Sequence, residues 1–314
     1  MQARRTTIAL FASALSLACG RERPPAPAVS ADSAPPAAPA PPDKVEGFNH
    51  PESARYDAEL DVWYVSNING DPFAADGNGF ISRLKGDGSI DSLEFIAGGK
   101  NGVTLNAPKG MALTGDTLWV ADVDVVRAFD RKSGAPLVNI SLKGKARFLN
   151  DVAVGPDGVY ITDSGFAAEG KGMGHPGPDQ IFHVAGGKAT VAIRNSALAA
   201  PNGIAWDNAG SRFLVGPFAG KTIQAWVPGS KTLTAVGDTP GQVDGLEVLA
   251  GGRVLFTSWT DSTLDVLQGG KVTAFGGKLP SPADIGLDTK RGRVAIPLLM
   301  ENRVEFRDLP TVTP

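Results

Sequence analysis

A seven-residue pattern, clearest as Pro201-Asn202-Gly203-Ile204-Ala205-Trp206-Asp207, returns five more times along this chain. The copies open Pro108-Lys109-Gly110, Leu149-Asn150-Asp151, Val243-Asp244-Gly245 and Pro282-Ala283-Asp284. Pro51-Glu52-Ser53 is the most diverged. They recur at about 40 residues, stretching to about 50–60 in two places, and periods near 40 to 45 belong to propellers and repeat arrays. One such unit cannot bury its apolar face alone, so neighbouring units must cover each other.

The unit after Asn202 shows what repeats. An apolar run, Ile204 to Trp206, ends in a turn at Asp207-Asn208-Ala209-Gly210. Strand-like runs follow at Arg212 to Val215, Thr222 to Val227 and Thr232 to Val236, separated by Gly, Pro and Lys. Four short strands per unit and no 3.6-period run predict an all-β fold, a six-bladed β-propeller with four-stranded blades. The lone Trp206-Asp207 pair does not make a WD40 array, since no other unit carries it. The last unit offers only three strands before the sequence stops, and an unpaired edge would remain. Val45 to Phe48, ahead of the first copy, is expected to donate the fourth strand and close the ring.

Ahead of the propeller the composition changes. Arg4 and Arg5 followed by an apolar run to Ala18 read as a signal peptide, residues 1–18, too short to span a bilayer as a mature helix. Cys19, the one cysteine of the chain, follows a small residue. This resembles a bacterial lipoprotein signal, with Cys19 the lipidation candidate; an ordinary secretory signal is the alternative. Either reading exports the protein, to a membrane-anchored position facing the periplasm or cell exterior, or otherwise as a periplasmic or secreted protein. Residues 19–43 are rich in Pro and Ala and read as an extended tether. The propeller then occupies residues 44–314. A net charge of −3 and no clustered basic stretch give no footprint for nucleic acid. The membrane is expected as a partner only through a lipid anchor, and the protein as a monomer.

Strands alternate in direction within a blade, so the residue ahead of each inner strand lies at one mouth of the central channel. Two long connections, Asn67 to Phe80 and Ser164 to Gln180, are expected to return to that same face and mark the site. At the repeated position stand Glu52, Lys109, Asn150, Asn202, Asp244 and Ala283. Singly, Asn or Asp before Gly is an ordinary turn former. Together, Glu52, Asn150, Asn202 and Asp244 place four side-chain oxygens around one axis. Two carboxylates and two amide carbonyls suit a hard divalent cation, calcium first, with zinc, manganese or magnesium as alternatives.

On these motifs, residues 45 to 314 resemble the six-bladed propellers that include regucalcin (senescence marker protein), gluconolactonase and, more distantly, the paraoxonases. The resemblance implies one catalytic divalent metal on Glu52, Asn150, Asn202 and Asp244, with Asp244 also the candidate general base. It implies a hydrolase of lactone or ester type whose substrate is a small molecule. The metal would polarise the carbonyl, and Asp244 or a metal-bound hydroxide would drive attack. Regucalcin-like members carry a substrate-contacting arginine two residues before the blade-three asparagine; Arg147 here stands three before Asn150. Lys109, His175 and Trp259 are further substrate-binding candidates, and Phe73, Phe166 and Phe218 are expected on loops at the mouth. Lys109 is alternatively a salt-bridge partner of the ring carboxylates. Asp151 either orients Asn150 or is a turn residue. Two other classes stay open: a non-catalytic, surface-tethered propeller that binds a protein, glycan or small ligand, and a metal-free propeller of the strictosidine-synthase kind.

Overall fold

Each copy of the repeat opens the inner strand of one blade. In the computed structural model these strands are Pro51–Asp57, Pro108–Thr114, Leu149–Gly155, Pro201–Asp207 and Val243–Leu249, with a shorter one, Gly286–Asp288, in blade six. The structure describes residues 42–309 apart from Lys171 and Gly276. The chain divides into two units at Ala40/Pro41, and all described residues belong to the second. The signal-peptide, Cys19 and most of the tether readings lie outside them. No helix of the described residues is long and apolar enough to cross a membrane.

Six four-stranded antiparallel sheets follow one another around the ring. Blade four runs Pro201–Asp207, Arg212–Pro217, Thr222–Trp226 and Thr234–Asp238 in sequence order, from the inside outwards. Blade six is the exception. Its outer strand is Lys44–Glu46, which pairs with Arg303–Asp308 in the register Val45 to Val304. The N-terminal segment closes the ring, starting one residue and ending two residues earlier than the sequence pattern placed it.

The core is distributed as six apolar clusters, one in each gap between neighbouring blades. Ile204, Phe213 and Trp226 of blade four meet Ala153, Tyr160 and Ile181 of blade three. At the closing seam Val45 and Phe306 pack with Ala54, Trp63 and Val65 of blade one. Backbone bonds sew the same seam: Ala54 N donates to Asp284 O (3.2 Å) and Asp284 N to Glu52 O (2.8 Å).

The glycine of the repeat has a steric reason. A Cβ on Gly245 would come within 2.5 Å of the Ile285 nitrogen, and one on Gly203 would fall on the Asp244 carbonyl oxygen. Inner strands of adjacent blades therefore approach at distances only glycine permits. Gly203→Ala is expected to destabilise the fold by about 1–3 kcal/mol through forced separation of blades four and five. Thermal unfolding would show this as a fall in Tm; an unchanged Tm would contradict the close-approach role.

The two long connections behave differently. Asn67 to Phe80 contains no strand, whereas Ser164 to Gln180 carries a small hairpin, Ala167–Glu169 with Gly172–Gly174. Both contribute residues to one cup where the inner strands begin.

Candidate active site

A shared irregularity aims the side chains. In five of the six inner strands the pairing register slips across the repeated position, as between Pro201 and Ile204 or Val243 and Leu246. Such bulges turn side chains out of strict alternation. Two consecutive residues then serve the channel: the repeated one in the cup, the next one below it.

Glu52, Asn150, Asn202 and Asp244 all line the cup, and Lys109 joins them. Glu52 Oε2, Asn150 Oδ1, Asn202 Oδ1 and Asp244 Oδ1 are buried without a hydrogen-bond partner. Buried polar atoms are nearly always paired, so four orphaned oxygens in one cup form a donor set rather than a packing accident. The chemistry of that set, two carboxylate and two amide oxygens, fits a hard cation. Among the described residues no three His, Cys, Asp or Glu side chains are placed to hold a metal ion by themselves. Of the four orphaned oxygens only two come from such residues, Glu52 and Asp244, and the other two are amide oxygens.

Neighbours fix which atom is free on two of the donors. Asn150 Nδ2 donates to Ser164 Oγ at 3.0 Å, and that hydroxyl donates to Pro201 O at 2.6 Å, leaving Asn150 Oδ1 towards the cup. Trp259 Nε1 donates to Asp244 Oδ2 at 2.9 Å, leaving Oδ1. Trp259 is thus a positioning residue for Asp244 as well as part of the wall. Trp259→Phe is expected to weaken divalent-cation binding by about 10–100-fold, as loss of a partner that orients a ligand does. Titration calorimetry would show it; unchanged affinity would leave the indole as wall alone.

The electrostatics are strained by design of the channel. Burial pushes the Glu52 carboxyl well above its usual range, and Asp244 and Asp284 push it further while Lys109 opposes. Asp244 is raised by burial and by Asp284, against hydrogen bonds from Trp259 and Asn202. Lys109 does not sit among the carboxylates as their salt-bridge partner. It is 1% exposed, donates to Pro72 O (3.2 Å) and Ala107 O (3.1 Å), and lies 4.3 Å from the Phe148 ring centroid. Burial brings its ammonium down to about 8.

Below the cup, Arg55 crosses the channel. Its guanidinium bonds Met111 O of blade two (2.6 Å), Asp151 of blade three (3.2 Å), and Asp284 of blade six (2.9 Å). It also lies 3.6 Å from Glu247 of blade five. Ser53 Oγ donates to Asp284 Oδ2 at 2.6 Å. Asp151 does not hold Asn150; it accepts from the Ile204 backbone (2.8 Å) and from Arg55. Arg55 and Glu247 line a second hollow on the far side, with no lining residue in common with the cup. The channel therefore holds five carboxyl groups (Glu52, Asp151, Asp244, Glu247, Asp284) against two cationic side chains, Arg55 and Lys109.

Other expected contacts lie elsewhere. Arg147 lines a separate surface hollow with Lys145 and Arg194. Its backbone N–H is held by Asp163, and the next residue, Phe148, turns into the cup instead. His175 is bound to Asp179 (2.7 Å) and packs on Phe166 without lining the cup. His183 stacks on Tyr160. His50 does line the cup, and its Nδ1 is buried and unpartnered. Arg55, Ser164 and Asp284 escaped the sequence reading. Aligning the residue after the repeated position (Ser53, Asp151, Asp284) would have exposed part of this set.

Residues 82–277 match the model of the SMP-30/gluconolactonase/LRE-like region. The chain belongs to that family. A solved X-ray structure of a protein provisionally named a gluconolactonase shares the fold, with a TM-score of 0.61 at 19% identity, covering 87% of this chain and 96% of the other. No curated protein sequence matches.

Proposed function

We propose that this member of the family hydrolyses a lactone or ester with a divalent cation, calcium first, held by Glu52, Asn150, Asn202 and Asp244. The observation that carries the reading is the set of four orphaned, buried oxygens in one cup. Family membership supports the hydrolase class. The excess of carboxyl groups over cationic side chains in the channel supports a bound dication, because buried carboxylates this close cannot all ionise uncompensated.

When bound there, the cation supplies Lewis-acid polarisation of the ester carbonyl. The protein's own groups do the rest. Glu52 and Asp244 bring the anionic ligands, and Asn150 and Asn202 bring neutral ones that add no repulsion. Trp259 occupies Asp244 Oδ2, so Oδ1 is the oxygen of this carboxylate that would face the cation, and the proton of the attacking water would be taken by the same carboxylate group. The aromatic and aliphatic wall around the cup lowers the local polarity, which strengthens charge interactions beside it.

The test combines metal analysis, calcium titration and a lactone and aryl-ester panel with and without EDTA. Turnover that disappears with EDTA and returns with calcium is the expected result. Absence of any cation binding would sink both site and mechanism. Tight calcium binding without turnover of any ester would leave a binding propeller in place of a hydrolase.

A further inference from the structure

The wall of the cup is unlike its floor. Five aromatic rings form an arc: Phe73, Phe166, Phe218 and Trp259 from loops of blades one, three, four and five, and Phe148 from the position just ahead of the inner strand of blade three. Successive centroids lie 4.9, 5.8, 5.9 and 5.8 Å apart, mostly edge to face. All but Phe73 line the cup; Phe73 backs the arc. Ile68, Pro72 and Leu299 fill much of the remaining wall, and Met173 and Met300 stand at it 48% and 62% exposed. Edge-to-face rings backed by one another are pre-organised, so this surface exists before any ligand arrives.

Several hydrogen-bonding groups of the cup are already engaged. The Trp259 N–H is on Asp244, the Asn150 amide N–H on Ser164, and Lys109 on two backbone carbonyls. Beyond the four orphaned oxygens, His50 Nδ1 is the unpartnered buried polar atom at the cup. A polyhydroxylated sugar lactone would bring several hydroxyls against aromatic and aliphatic carbon and leave them unpaired, which binding sites penalise heavily. An alkyl or aryl substituent meets the same wall favourably, and the flexible methionines adapt to its length. The cup encloses about 180 Å³, less than the ~300–1,000 Å³ of drug-sized pockets. It therefore takes one small ring, with a chain running out past Met173 and Met300.

We infer that the substrate is a lipophilic lactone or ester, alkyl- or aryl-substituted, and that the aromatic arc with Met173 and Met300 selects it over sugar lactones. This rests on the hydrolase reading above for its turnover and on the cup alone for its binding preference. δ-Decalactone and δ-gluconolactone share a six-membered ester ring and differ in what it carries. Calcium-loaded protein is expected to show kcat/KM about 100-fold or more higher for the alkyl lactone, each corrected for its uncatalysed hydrolysis. Phe218→Ser combined with Met173→Ser is expected to cut that ratio about tenfold. A ratio near one, or one favouring the sugar, overturns the inference. Calorimetry with the two corresponding lactams reads the cup without turnover. Tighter binding of the alkyl lactam with no hydrolysis of either ester removes the hydrolase reading and upholds the preference. Binding of neither lactam, or of the sugar lactam more tightly, overturns the inference whatever the turnover.

Discussion

Asp244→Asn is expected to lower kcat/KM for any lactone or ester by about 10³-fold or more, the scale of losing a general base or a key charge-stabilising group. The substitution keeps shape and removes one negative charge. It takes away a charged ligand and the proton acceptor together, so cation affinity and turnover fall in parallel. Stability should move the other way. In the cation-free protein Asp244 is buried, raised by Asp284, and itself raises Glu52. Neutralising it relieves that repulsion, so the variant measured in EDTA should melt no lower than the wild type at neutral pH. A variant that loses activity only because it unfolds would melt well below the wild type. Full activity in a folded Asp244→Asn protein would remove Asp244 from the mechanism.

Calcium at about 1,000 times its Kd is expected to stabilise the protein by about 4 kcal/mol, on the order of 10 °C in Tm for a domain of this size. EDTA should reverse it. The pH dependence follows from the direction of the shifts. Glu52 and Asp244 both have raised folded-state values without a cation. Their contribution to stability is fully present below the ordinary carboxylate range and is lost as pH rises through the raised values. The cation-free protein should therefore lose stability on this account as pH rises from about 5, just above ordinary carboxylate values, towards the alkaline end of the range. Calcium, which takes the place of those protons, should give a larger gain in Tm at the upper end. Scanning calorimetry in EDTA and in calcium at both ends checks the sign. A calcium effect that shrinks with rising pH would contradict the coupling of these carboxyls to the cation.

The repeat was legible because its chemistry is local: Pro, an oxygen-bearing residue and Gly sit side by side in Pro201-Asn202-Gly203, and six copies can be aligned by eye. That alignment was enough for the blade count, for the closing strand ahead of Glu52 and for naming the four residues that share the cup. Arg55 was not legible, because its role depends on partners from four other blades that no local pattern brings together. Asp284 was hidden for a related reason. Strict strand alternation sends consecutive residues to opposite faces, and only the slipped register at this point lets two neighbours serve one channel. Loop residues were the hardest. Arg147 and Phe148 are adjacent, and their turn is held by Asp163, a residue 15 positions beyond Phe148 that accepts from both backbone N–H groups. Nothing periodic marks that turn. The hairpin at 167–174 is likewise read as loop from composition, since three-residue strands rich in Gly and Ala carry no strand signature.

The pairing of Val45 with Val304 also sets an order of events in time. The strand that emerges first on synthesis is the one that is seated last, after about 260 further residues have appeared, a separation that makes such pairings slow. Once made, and until Lys44–Glu46 is seated on it, Arg303–Asp308 presents an open edge, and the cluster around Phe306 and Trp63 lacks its Val45 side. An open edge beside apolar surface invites pairing with another chain. The interval between the first strand and its partner is thus when this propeller is most exposed to misassembly. Changes at Lys44–Glu46 should act on the yield of folded protein before they act on anything the cup does.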